Sequence, residues 1–179
     1  GALLTLLSSF GQTIFISVFA ADIQADFFLS HGAWGGIYAL GTTTSAVVMV
    51  WAGGLTDKFR VGSLGPVVLL MLAMSCLLMA FNPFVWLLPV VIFALRLCGQ
   101  GMTSHIAVVA MARWFDAERG RALSIAALGF SVGEAVLPIV FVVLLGFLDW
   151  RVLWVIAAVV ILVGVPVLIR LLRHERTPQ

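Results

Sequence analysis

The chain alternates between long apolar runs and short polar breaks. Six runs stand out, at about 3–24, 34–54, 62–82, 84–112, 121–146 and 150–172. Each is close to or above the roughly 20 apolar residues that a helix needs to cross a bilayer. Lipid offers no partner for backbone amides, so each run is expected to be a helix. The breaks carry turn chemistry. Asp26 to Gly32 joins spans 1 and 2, Asp57, Lys58 and Arg60 separate spans 2 and 3, and Asn82-Pro83 turns between spans 3 and 4. Five charges lie from Arg113 to Arg121, between spans 4 and 5, and Asp149 and Arg151 mark the turn into span 6.

Composition narrows the class. Of 179 residues, 63% are hydrophobic and only 10% charged, with a mean hydropathy of +1.18. Soluble domains average about 45–50% apolar and about 25% charged residues. A soluble globule, a disordered chain and a secreted disulfide scaffold are therefore excluded, and the fold class is an all-α membrane protein whose core is completed by lipid. Cys76 and Cys98 sit inside apolar runs and read as buried free thiols. No basic and aromatic interleaving suits a nucleic acid. His31, His105 and His174 lack metal-ligand spacing. With no nucleotide loop and no nucleophile–base constellation, neither a cofactor, a metal nor an enzymatic activity is expected. The chain opens at Gly1 and is apolar from Ala2, without the basic flank of a signal peptide. A processed chain or a fragment is the expectation.

Lys and Arg set the orientation. Lys58, Arg60, Arg113, Arg119, Arg121, Arg170, Arg173 and Arg176 fall on one side, eight of the ten in the chain. The other side has Arg151 alone, and Arg96 lies within span 4. The basic side is expected to be cytoplasmic, with both ends of the chain on it, in a bacterial inner membrane. Trp34, Trp86, Trp114, Trp150 and Trp154 fall near span ends, where an interfacial belt would place them. Spans 1–3 and 4–6 start from opposite sides, the layout of an inverted repeat in transporters. The expected organisation is one bundle over 1–179, with repeats at 1–82 and 83–179.

Gly53-Gly54-Leu55-Thr56-Asp57-Lys58-Phe59-Arg60 resembles the Gly-x-Leu-x-Asp-Arg-x-Gly signature of the major facilitator superfamily, at the turn after span 2 where that family carries it. Arg60 stands where the family has glycine. The glycines let helix ends approach, and Asp57 can pair with a nearby cation. Arg113, at the same end of span 4, is the in-chain candidate. The resemblance implies a cytoplasmic gate built from Gly53, Asp57, Lys58, Arg60 and Arg113; the other reading is an ordinary charged turn anchored by headgroups. Arg96-Leu97-Cys98-Gly99-Gln100-Gly101 is similar to the span-4 pattern of the family, with its glycines one residue closer. Arg113-Trp114-Phe115 and Glu118-Arg119-Gly120-Arg121-Ala122 resemble the loop of the monocarboxylate and oxalate–formate branch. Gly129, Gly133 and Pro138 resemble a span-5 helix, and Glu134 stands where the antiporter signature has proline. The resemblance covers the amino-terminal six-helix half of a family whose members have twelve spans. It implies half of a twelve-helix fold, completed by a missing carboxyl-terminal half or by a second copy as a homodimer.

Ionisable residues inside a span cost roughly 2.5–3.5 kcal/mol on insertion scales and so call for a reason. Arg96 lies roughly 18 Å into span 4 and Glu134 roughly 20 Å into span 5, both near mid-membrane. A direct or water-bridged Arg96–Glu134 pair is one expectation. Gln100 shares the face of Arg96 four residues on, and Gln12 reaches a similar depth in span 1. These four could line one polar cavity, with Arg96 drawing an anionic substrate and Glu134 serving proton coupling. The competing reading is a pair that only fixes helix packing. Pro138 removes the helix bond to the Glu134 carbonyl. His105 reads as packed or interfacial, Asp22 and Asp26 as solvated helix-end charges, and Gly129-xxx-Gly133 and Gly41-xxx-Ser45 as close helix contacts. The expected function is transport of a small organic solute, such as a monocarboxylate, by alternating access on a proton or solute gradient. Its rivals are a lipophilic-drug exporter and a non-transporting receptor or assembly subunit.

Overall fold

The computed structural model describes residues 2–172. Arg173, His174 and Arg176 lie outside the described residues. The described chain is helical, with five candidate membrane spans and a sixth if one bent helix pair is counted as a span. Five are single apolar stretches long enough to span a bilayer, His31–Lys58, Val61–Phe81, Val85–Trp114, Arg119–Leu145 and Trp150–Leu171. The first is broken. It consists of α1 (Ala2–Ser8), a 3-10 turn (Ser9–Gly11), α2 (Thr13–Ser17) and α3 (Ala20–Asp26). The last piece is bent 66° from the others.

The break has a local cause. Ser8, Ser9 and Gly11 are weak helix formers, and small polar side chains compete for backbone bonds. The Ser8 hydroxyl donates back to the Thr5 carbonyl at 2.6 Å. Gln12 is extended, with ψ 154°, so the helix restarts only at Thr13. A continuous span 1 is what the apolar run predicted, and this is a correction: hydrophobicity does not report a single extended residue.

Span 2 is α4 (His31–Ala52) with a short extension, α5 (Leu55–Lys58), and span 3 is α6 (Val61–Phe81). The Ser30 side chain caps α4 by accepting from the Ala33 amide at 3.1 Å. Asn82 closes the next turn, its side-chain oxygen accepting from the Phe84 amide at 2.9 Å. Span 4 is α7 (Leu88–Leu95), a π-helical segment (Arg96–Thr103) and α8 (Ser104–Trp114). Span 5 is α9 (Arg119–Leu145), which carries Pro138 without interruption, and span 6 is α10 (Trp150–Leu171).

The packing follows a pattern. Span 3 lies along span 6, span 1 along span 5, and span 2 along span 4. Exchanging spans 1, 2 and 3 for 4, 5 and 6 returns the same set of neighbours. Small residues mark each seam. A Cβ built on Gly41 would lie 2.8 Å from the Ile92 side chain of span 4, and one on Gly133 would strike the Ser9 side chain of span 1. Spans 1 and 4 cross with their backbones touching, because a Cβ on Gly99 would lie only 2.6 Å from Gly11 Cα. Close approach of this kind stabilises helix pairs where lipid removes the hydrophobic drive.

One aromatic cluster fills the interior between spans 1, 5 and 6. Phe15 meets Phe10 at 5.0 Å, Phe141 at 4.9 Å and Trp154 at 5.3 Å, all edge to face. Trp154 is fully buried and Trp150 nearly so. This corrects the interfacial-belt expectation for both. The lipid-facing surface is apolar as well, with Val50, Leu78, Phe81, Val163 and Leu171 exposed.

A candidate solute groove beside Arg96

Arg96 opens the π-helical segment of span 4. Gly99 and Gly101 loosen that stretch. The Thr103 hydroxyl donates to the Cys98 carbonyl five residues back, and the Ser104 hydroxyl to that of Gln100. π-Segments of this type concentrate at functional sites. Arg96 is only 8% exposed. Its Nη1 donates to the Gly11 carbonyl at 3.2 Å, at the edge of the break in span 1. Its guanidinium lies 5.8 Å from the centre of the Tyr38 ring, within cation–π range. The Tyr38 hydroxyl donates in turn to Thr13 Oγ1 at 2.8 Å. Spans 1, 2 and 4 are thereby joined at one polar knot.

Beside this knot runs a groove of about 240 Å³, lined by Thr42, Ser45, Ala46, Met49, Arg96, Gln100 and Gly101. Two of its polar atoms are buried without a partner, Arg96 Nε and Thr42 Oγ1. A buried donor left unpaired costs about 1–3 kcal/mol, so both side chains would gain from a polar partner.

The residues singled out in the sequence separate here. Arg96 and Gln100 line the groove, and Gln12 and Glu134 do not. Gln12 is buried next to the break, and Glu134 is exposed on span 5. Arg96 and Glu134 form no ion pair or hydrogen bond with each other. Depth alone suggested that pair; azimuth separates it, because Gly133 turns toward span 1 and puts Glu134 on the open face. Tyr38, Thr42 and Ser45 were missed. Their spacing of four and three residues put them on one face of span 2, and Tyr38 is the single tyrosine of the chain.

At the basic end, Arg113 Nη2 pairs with the Asp57 carboxylate and Nη1 donates to the Thr56 carbonyl at 2.8 Å. The pair ties the turn between spans 2 and 3 to the end of span 4, inside one bundle. Asp57, Lys58, Arg60 and Arg113 share a second cleft, of about 260 Å³, with Trp114. Gly53 lies near span 4, where a Cβ would come 3.5 Å from His105 Nε2. The opposite end is held by Asp26, an exposed charge at the end of α3 that also has partners. Its carboxylate accepts from the Trp150 indole at 2.6 Å and lies 3.9 Å from Arg151 Nε. Arg151 Nη1 also donates to the Asn82 and Ala80 carbonyls at 2.8 and 3.2 Å. Spans 1, 3 and 6 are clamped there.

The family model of the Major Facilitator Superfamily matches residues 1–179. The chain belongs to the Major Facilitator Superfamily. Members of this superfamily are membrane transporters, not enzymes. The apolar spans accordingly place this superfamily member in a membrane as a transport protein. No curated protein and no solved structure matches the chain.

Proposed function

We propose that this bundle carries a small organic anion, such as a monocarboxylate, across a membrane by alternating access. The observation that carries the reading is the pair of buried, unpartnered polar groups on one groove, Arg96 Nε and Thr42 Oγ1. A carboxylate suits this lining, since the guanidinium fork of Arg96 matches its geometry. A lipophilic drug would leave both unpaired. Drug-sized pockets occupy about 300–1,000 Å³, and the groove on this bundle, about 240 Å³, is smaller.

The rest of the reading follows the charges. The Lys and Arg bias puts the Asp57–Arg113 end in the cytoplasm, in a bacterial inner membrane, with both chain ends on that side. Gly53, Asp57, Lys58, Arg60 and Arg113 form the gate there, and their contacts must change as the bundle moves. Neighbour exchange between spans 1–3 and 4–6 supports repeats at 1–82 and 83–179. Arg96 and the groove call for a second six-helix bundle opposite, from the same protein or a second copy. Glu134, on the open face, would meet that second bundle and serve proton coupling there.

Solute counterflow in proteoliposomes tests the reading. Radiolabelled L-lactate, acetate and oxalate should exchange across the membrane with the native protein. R96Q should lower exchange at least about tenfold, the loss of one charged hydrogen bond, while insertion is unchanged. Full exchange in R96Q would sink the assignment, and binding without counterflow would favour a receptor.

A further inference from the structure

Two features of the Arg96 knot remain unexplained by solute binding alone: the guanidinium spends a donor on a backbone carbonyl, and that carbonyl sits at a break in span 1. In an unbroken helix the Gly11 carbonyl would accept from the Phe15 amide, four residues on. With Gln12 extended, the helix restarts at Thr13 and that bond is not made. Arg96 Nη1 holds the carbonyl instead. One acceptor therefore has two competing donors, each belonging to a different backbone state of Gln12.

We infer that Arg96 is a clasp shared between the solute and span 1, so that an oxyanion in the groove draws the guanidinium off the Gly11 carbonyl and lets the break close. The inference rests on the oxyanion reading of the groove. A carboxylate is a stronger acceptor than a neutral carbonyl, and Arg96 lines the groove while its buried Nε has no partner. Once released, the Gly11 carbonyl is buried and unpaired, a state that Gln12 relieves by turning helical and returning the Phe15 amide. The change is not confined to one residue. Gly11 is pinned to Gly99 at the crossing of spans 1 and 4. Rotation at Gln12 therefore re-aims α2 against a fixed point, and α2 carries Thr13, the acceptor of the Tyr38 hydroxyl. Solute occupancy is read out as the shape of span 1, a bistable element biased by a ligand.

Hydrogen exchange measures the break directly. Deuterium uptake at Thr13, Ile14 and Phe15 is followed in the full chain in lipid nanodiscs, with acetate, L-lactate and oxalate each as probe. Binding of the same radiolabelled probe is measured separately by scintillation proximity. A bound probe should slow uptake at Phe15 by about three- to tenfold, the effect of gaining one helical hydrogen bond. R96Q should show that slowing without any probe, because the carbonyl then has one donor only. R96K keeps the charge without the fork and should fall between the two; it carries the test if R96Q does not fold. Native uptake in R96Q or R96K overturns the clasp. Probe binding with unchanged uptake overturns the inference alone, whereas no binding by any of the three removes the oxyanion reading and the inference with it.

Discussion

Replacing Gly99 by alanine probes the crossing on which the site is built. A Cβ there would lie 2.6 Å from Gly11 Cα, 2.9 Å from Gly11 N and 3.2 Å from the Ser8 carbonyl oxygen. Carbon atoms settle at about 3.5–4.0 Å, so the crossing must open by about 1 Å. All three obstacles are backbone atoms, which no change of rotamer can clear. Overpacking a close-packed interior costs about 1–3 kcal/mol, and the immovable neighbours put G99A near the top, at about 2–3 kcal/mol. That is a fall of about 25- to 150-fold in the folding equilibrium. Unfolding in mixed micelles by titrated SDS, followed by tryptophan fluorescence, reads it. The control is Gly35→Ala, where an added Cβ meets nothing within 4 Å. It should be as stable as the native protein or up to about 1 kcal/mol more so, the helical gain from glycine to alanine. Equal midpoints for the two variants would mean that spans 1 and 4 do not touch at Gly99, and the account of the Arg96–Gly11 contact would go with it.

The two charged ends should differ in strength. Arg151 is more buried and donates to two carbonyls, so Arg151→Gln should cost about 2 kcal/mol in the same unfolding assay. Arg113→Gln breaks a pair whose side chains are 48% and 68% exposed and should cost about 1 kcal/mol or less; the reverse order would refute the clamp. Thr42→Val removes a buried hydroxyl that has no partner, and should leave thermal stability unchanged or up to about 1 kcal/mol higher while counterflow falls. Normal counterflow with a destabilised bundle would show that Thr42 serves packing instead. Phe141→Ala hollows the aromatic cluster at its contact with Phe15, and should cost about 3–5 kcal/mol in SDS unfolding. A cost below about 1 kcal/mol would mean that lipid, not the cluster, fills that seam.

Five of the six spans and the turns between them were legible in the sequence because a bilayer imposes a length and a polarity on each crossing segment. The seams at Gly41-xxx-Ser45 and Gly129-xxx-Gly133 were also legible, since small residues one turn apart permit close approach. Depth for Arg96, Gln100, Gln12 and Glu134 was reckoned from a constant helical rise per residue, which the extended Gln12 and the π-segment from Arg96 interrupt. Direction around the axis was not legible. A helix that is apolar on every side carries no stripe to say which face turns inward, so the sequence could not separate Glu134 on the open face from Arg96 in the groove. The interruption at Gln12, the choice of the Gly11 carbonyl as the partner of Arg96 and the gathering of Tyr38, Thr42 and Ser45 beside it were decided only by the tertiary structure. Each depends on where two helices cross, and a crossing is set by side chains far apart in the chain meeting at one point.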